Sequence, residues 1–485
     1  MFHFAANLKP YNVFRGTGSR RFESYLLSVD FFAEHKDLAR LVVDENRTLC
    51  ADNGNVDLIT KFIGQQEDKV KPLHELRKAE EEKLGHKVRP GQLSSSLTNR
   101  FQSLAQDIFK LANEVVPDEH VVSVLQTQEA MSPTYVIGME DFTLVALTGL
   151  SIEREYSGLP AKWYKAASER AIEYAIRTKK GEFGPCRSLV FAGLHAVDFD
   201  TAKQAGRLAG EAQLDGIASG LVGAMKDESF VDFLLKNSEV IELRTTIPRP
   251  YVRTLEIVAG LHLGYAEAVG RRPAFHGLGV GSPILLPLVS LLGDARTYLA
   301  VDSTAPIKDA IERTVSLYVD TPAPRKLKAH RIAEFWLGEN DGWRCTCPYC
   351  REFTKLHPPR RAKALEWWRG EGKRALSADD MHAPSLLAEL LPILSTPKDE
   401  ETARHARMTR ISHNHWVLKR IENRVRKHGR NLHSLRRYVA KTMQAYLGLA
   451  GSSPGWRAAA EVAWKIADES SHELAEMSAG QRNNG

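Results

Sequence analysis

The sequence predicts an α/β protein: a (βα)8 barrel of the TIM type with a zinc-binding subdomain and a basic C-terminal helical region. Three observations carry that expectation. Short apolar runs that close on small or polar residues alternate with helix-like stretches up to about residue 300. Such alternation makes βαβ units and a parallel sheet, and at least six units favour a closed barrel over an open doubly wound sheet. No glycine-rich dinucleotide fingerprint follows the first run, which removes the main reason to expect a Rossmann fold. Finally, three of the five cysteines in 485 residues fall within six positions, at Cys345, Cys347 and Cys350, with Ser412-His413-Asn414 far downstream.

In chain order the strand-like runs are 47–52, 134–138, 188–192, 215–219, 274–278 and 297–301, and the helix-like stretches between them include 161–178, 200–213 and 250–269. A barrel places its chemistry at the carboxyl ends of its strands. Asp52 closes the first run, Asp141 follows the second, and Asp302 ends the last before the cysteines. Each alone is an ordinary helix cap or loop residue. Together, at corresponding strand ends, they read as an active site. The expected boundaries are a barrel over 1–340, a zinc-binding subdomain over 341–445 with an insertion at 355–403, and a C-terminal helix and tail over 446–485.

The cysteine run has the form C-x-C-x2-C, which gathers three soft thiolates around one point, and one imidazole completes a tetrahedral zinc centre. A disulfide with a spare thiol, or three separate buried thiols, are the competing readings of the same spacing. A closed site of this kind is structural rather than catalytic.

Hydrophobic residues make up 43% and charged residues 26%, an ordinary soluble composition. No apolar run reaches the ~18 residues that a membrane span needs. The best stretch, 279–292, is short and broken by Pro283 and Pro287. The N-terminus lacks the basic-then-apolar pattern of a signal peptide, and so few cysteines suit a reducing cytoplasm. Net charge is +6 and unevenly spread: between 404 and 441 Glu422 is the single acid among many Lys and Arg, and further basic stretches lie at 324–331 and 358–363. Solvated helix faces would account for each stretch singly. Three of them flanking one zinc site favour an anionic polymer, most simply nucleic acid.

Several segments together resemble the tRNA-guanine transglycosylase superfamily. Pro273-Ala-Phe-His-Gly-Leu-Gly-Val-Gly-Ser-Pro283 is similar to the family's glycine-rich strand end, and the segment ending Val301-Asp302-Ser303 to its nucleophile one βα unit later. Ala51-Asp52-Asn53-Gly54 resembles its first aspartate motif, and 128–141 the segment whose acidic end faces the base. Ala192-Gly193 and Ser219-Gly220-Leu221 stand where the family has glutamine-glycine and glycine-glycine-leucine. Cys345, Cys347, Cys350 and His413 match the zinc ligands in order, His413 being preferred to His382, His405 and His415 because it precedes Asn414 at the expected start of a long helix. The resemblance spans about residues 45–430. Asn53, Asn55, Ala192 and Ser219 depart from the tRNA enzymes, and the likeness is therefore nearer to the deazapurine DNA-modification transglycosylases (the DpdA type).

The resemblance implies a pentosyltransferase that exchanges guanine in DNA for a 7-deazaguanine such as preQ0. Asp302 would be the nucleophile at C1′ and Asp52 the general acid/base. Asp141 or Glu140 would read the base edge, and the backbones of Gly193, Gly220, Gly277 and Gly279 would approach the flat base. Arg420, Arg424 and Lys427 would track phosphates, Zn2+ would be structural, and the DNA-modification relatives imply a partner ATPase. Exchange on tRNA, and a non-catalytic nucleic-acid-binding paralogue, are the alternatives.

Overall fold

The computed structural model describes residues 1–8, 22–54, 56–86, 93–112, 116–141, 146–147, 150, 161–221, 230–232, 246–311, 316–328, 345, 347, 400–449 and 454–480. The strands are β1 (Phe2–Asn7), β2 (Ser24–Ser28), β3 (Thr48–Asp52), β4 (Tyr135–Ile137), β5 (Leu189–Leu194), β6 (Gly216–Gly220), β7 (Phe230–Asp232), β8 (Thr246–Pro248), β9 (Ala274–Leu278), β10 (Leu299–Asp302), β11 (Ser316–Val319) and β12 (Arg325–Lys328). The helices are α1 (Phe32–Asp44), α2 (Val56–Leu84), α3 (Ser95–Ala112), α4 (Asp118–Ala130), α5 (Ala161–Lys179), α6 (Phe199–Glu211), α7 (Arg249–Val269), α8 (Leu285–Ser290), α9 (Ala305–Ile311), α10 (Glu400–His428), α11 (Leu432–Leu447) and α12 (Pro454–Gly480). Eight strands close into a barrel in the order β1-β10-β9-β6-β5-β4-β3-β2, while β7-β8 and β11-β12 form small antiparallel pairs.

All six expected strands are present, within one or two residues of their predicted ends. Two barrel strands, β1 and β2, are absent from the expected set, although β2 is followed by α1 in the ordinary βα order. Phe2-His-Phe-Ala-Ala-Asn is buried over its first five residues, and β1 pairs in parallel with β10, Ala5 facing Asp302. The run that opens the sequence pattern is therefore the third strand. No helix among the described residues is long and apolar enough to cross a membrane.

By its own contacts the chain divides into two units, Met1–Tyr25 with Glu228–Val252 and Leu278–Asp468, and Leu26–Asp227 with Arg253–Gly277 and Glu469–Gly485. In the second unit the connection from β3 to β4 carries three helices among the described residues, α2, α3 and α4, instead of the usual one. Phe62, Ile108, Leu147 and Trp163 bury α2, α3 and α5 against one another, with Phe109 stacked on Trp163 at 4.7 Å. Gln128 at the end of α4 donates from Nε2 to Ala51 O (3.1 Å) and Ile137 O (2.9 Å), tying β3 to β4 through one buried amide. Tyr135 of β4 donates or accepts across the barrel interior to His276 Nδ1 of β9 (2.5 Å) and stacks on Phe191 of β5 at 4.3 Å. An Asp198–Thr201 capping box starts α6, satisfying its first orphan N–H groups.

In the first unit, α10 packs through Ile411 on Ile307 and Ala310 of α9. Arg410, fully buried, donates from Nε to Ala310 O at 2.6 Å. Asn414 accepts from Tyr318 N (2.9 Å) and donates from Nδ2 to Pro306 O (3.0 Å) and Ser316 O (3.2 Å). Polar side chains thus seat this helix by completing backbone bonds that would otherwise be buried and unmet, each worth about 1–3 kcal/mol if left orphaned.

Candidate functional site

In the second unit, Asp52 is the last residue of β3 and is half-buried. Asn53 beside it is not a spacer: its Nδ2 donates to Gly138 O at 3.0 Å, fastening the turn to β4. Gly54 adopts φ +65°, and an added Cβ would strike Val29, Asp30 and Ser28, so only glycine permits the chain to leave β3 here.

The two acids after β4 separate in role. Asp141 is buried and accepts from Arg170 Nε of α5 at 2.5 Å, and Arg170 also lies over the Phe109 ring. Glu140 instead accepts from His195 Nε2 at 2.6 Å. His195 follows the last residue of β5, and the two side chains keep 15% and 17% of their surface in solvent. Gly193 and Gly220, expected to admit a base, here make room for this pair: an added Cβ would lie 3.1 Å from Glu140 Cβ at Gly193, and 3.2 Å from His195 Cε1 at Gly220. Burial opposes the imidazolium of His195, but the adjoining Glu140 carboxylate more than offsets it and raises its pKa above the ordinary range. The sequence offered one signal for His195, a histidine at a strand's carboxyl end, but nothing in it joined that residue to Glu140.

In the first unit, Asp302 ends β10 and is buried, at 5% exposure. Gly279, at φ +90°, points its N–H at Asp302, 3.0 Å from the backbone oxygen and 3.3 Å from Oδ1. The glycine thereby orients the carboxylate. Gly281 packs against Ser303 and Ala305, and Ser303 Oγ accepts from Ala305 N at 3.0 Å, capping α9. Gly277 is buried in β9, next to His276.

Cys345, Cys347 and His413 are brought together from positions up to 68 residues apart, their ligand atoms all within 4.8 Å of one another. His413 Nδ1 lies 3.7 Å from Cys345 Sγ and 3.3 Å from Cys347 Sγ, and neither cysteine forms a disulfide. Around a tetrahedral ion bound at about 2.1 Å by nitrogen and 2.3 Å by sulfur, those atoms stand about 3.6 Å apart. The other ring nitrogen, Nε2, donates to Tyr318 O at 2.9 Å, which fixes the tautomer with Nδ1 free to ligate. These three residues can hold a metal ion. His413 sits in the interior of α10, fourteen positions in, and not at a helix start. It is selected because its position on the helix faces β11 and the cysteines. His415 turns to Phe22, edge-on at 5.8 Å, and its burial lowers its pKa to about 4. Cys350, His382 and residues 355–399 of the expected 355–403 insertion lie outside the described residues, as does the His405 side chain, while residues 400–403 belong to α10.

Of the expected phosphate contacts, Lys427 is exposed near the end of α10. Arg420 and Arg424 pair with Asp320, at 3.0 Å (Nε) and 3.2 Å (Nη2) from the same Oδ2. A phosphate would therefore share these guanidiniums with a buried carboxylate.

No family model matches this chain, and no curated protein matches it.

Proposed function

We propose that this chain is a nucleic-acid guanine transglycosylase that replaces guanine in DNA with a 7-deazaguanine through a covalent glycosyl-aspartate. The observation that carries the reading is Asp302: a buried carboxylate at the carboxyl end of the last barrel strand, oriented by the N–H of a left-handed glycine. Strand carboxyl ends are where barrels of this class hold their chemistry. Asp52, at the equivalent end of β3, supplies the second carboxylate that a retaining exchange at C1′ requires. In this scheme Asp302 attacks C1′ and the guanine departs. Asp52 then takes the N9 proton of the incoming base as that nitrogen re-forms the bond to C1′. Glu140 meets the base edge, while Asp141 is committed to Arg170. The target nucleotide leaves its stack to reach a barrel mouth, and Lys427 with the shared arginines follows the backbone.

The thiolate–imidazole donor set of Cys345, Cys347 and His413 suits zinc, and the resemblance would make Cys350 the fourth ligand of a structural centre. The resemblance that motivates the reading also implies a partner ATPase.

The test is mass spectrometry of nucleosides from DNA and tRNA, digested separately, in cells making 7-deazaguanine and carrying either the native chain or Asp302→Ala. A modified deoxynucleoside that vanishes with Asp302→Ala supports the proposal. A change confined to tRNA moves the activity to tRNA, and no change in either pool leaves a nucleic-acid-binding role.

A further inference from the structure

The carboxyl ends of β4, β5 and β6 hold an acid–base pair, His195 with Glu140, to which the proposed exchange assigns no proton transfer. His195 Nε2 is bound to Glu140 at 2.6 Å, and among the described residues no group bonds its Nδ1. The pair is built in: a Cβ added at Gly193 or Gly220 would press on it, 3.1 Å from Glu140 Cβ or 3.2 Å from His195 Cε1. It is also reachable, since both side chains keep a share of solvent. The other charged group that acts on His195 is Asp141, itself paired with Arg170 of α5, and β6 ends in Ser219 and Gly220. Ser219, buried, has an Oγ with no hydrogen-bond partner among the described residues, a polar atom that a bound molecule could satisfy.

We propose that His195 is a proton-transfer residue at this rim and that Glu140 is the residue that positions it. A carboxylate on one ring nitrogen fixes the tautomer and leaves the other nitrogen to carry a proton to or from a ligand. Resting on the transglycosylase reading, the step balances as follows. When the C1′–N9 bond of the outgoing guanine breaks, its electron pair moves to the base, and imidazolium His195 gives its Nδ1 proton to a ring nitrogen, so the base leaves neutral. Asp52 later accepts the N9 proton of the incoming base, and solvent returns that proton to His195. Glu140 exchanges no proton in this step.

The first experiment needs no turnover. In the full chain labelled with 13C-histidine, the His195 ring is followed by NMR against pH, with and without added guanine. The expected result is titration above an ordinary histidine, a lower midpoint in the isosteric Glu140→Gln, partial recovery in Glu140→Asp, and a shift of the resonance on adding guanine. A midpoint indifferent to Glu140→Gln, or a resonance indifferent to guanine, overturns the proposal. In base exchange, His195→Gln should lose about 10²–10⁴-fold in rate, the usual share of a general acid, and Glu140→Gln should move the alkaline fall of rate to lower pH. Exchange that survives His195→Gln with its pH profile unchanged defeats the dyad and leaves the transglycosylase reading intact. If His195 answers to guanine but no base exchange depends on Asp302, the transglycosylase reading falls and the dyad stands.

Discussion

Two histidine–carboxylate pairs, one in each unit, end in opposite states. His195 and Glu140 meet at 2.6 Å with water at their edge, and the carboxylate lifts the histidine's pKa. His3 of β1 and Glu422 of α10 stand 3.9 Å apart, with Glu422 fully buried, and His3 Nδ1 and Glu422 Oε1 both lack a hydrogen-bond partner among the described residues. There burial dominates. It lowers His3 to about 3, helped by Arg426, and raises Glu422 to about 7 although Lys419 bonds it at 3.1 Å. The same two residue types shift the histidine upward where they are hydrogen-bonded to each other, and downward where burial is not offset by such a bond. His413 makes a third case: its orienting partner is a carbonyl, which fixes the tautomer without adding charge, and that suits a metal ligand facing thiolates.

The largest effect should come from the third case. Cys347→Ser should abolish bound metal, read by elemental analysis, and cost on the order of 5 kcal/mol in unfolding. That is below the ~10 kcal/mol of isolated zinc fingers, because Asn414 and Arg410 seat α10 without the ion. A fully unfolded variant would show that the metal, and not the helix seat, organises this region.

Glu422→Gln comes next. A carboxylate whose folded pKa lies above its unfolded value stabilises the native state below the unfolded pKa, and that contribution is lost as pH rises through about 7. The glutamine variant escapes the loss, so relative to native protein it should gain on the order of 2–3 kcal/mol between pH 5 and pH 8. His3 acts in the opposite sense at lower pH: depressed to about 3, it adds stability as pH climbs towards its unfolded value. Denaturant curves at several pH values measure both, and a constant difference between variant and native protein would break the comparison.

Gly220→Ala sharpens it from the other side. A methyl 3.2 Å from His195 Cε1 should cost about 1–2 kcal/mol and, by pushing the ring off Glu140, lower its midpoint in the same NMR titration. Smallest is Arg420→Ala, less than about 1 kcal/mol in stability, since Arg420 is itself partly exposed and Arg424 still pairs with Asp320. Its mark should be in nucleic-acid affinity, with the salt slope reduced by about one. An unaltered slope would reduce Arg420 to a partner of Asp320.

The sequence by itself determined what depends on neighbours along the chain. The alternation of apolar runs and helical stretches names six of eight barrel strands, because a βα unit is written in consecutive residues. The cysteine spacing names two of the three described residues that can hold a metal ion, because three thiolates within six positions can reach one point. Strand-end aspartates are legible for the same reason. Tertiary structure alone decided the rest. β1 and β2 are strands only because β10 and β3 accept them as partners. His413 can join the two cysteines around a metal ion only because β11 holds its ring, and not by standing at a helix start. Glu140 and His195, 55 residues apart, meet because β4 and β5 pair in parallel and two glycines leave them space. Composition and order cannot fix the distance and water content at such a meeting, and those set whether a histidine and a carboxylate carry charge.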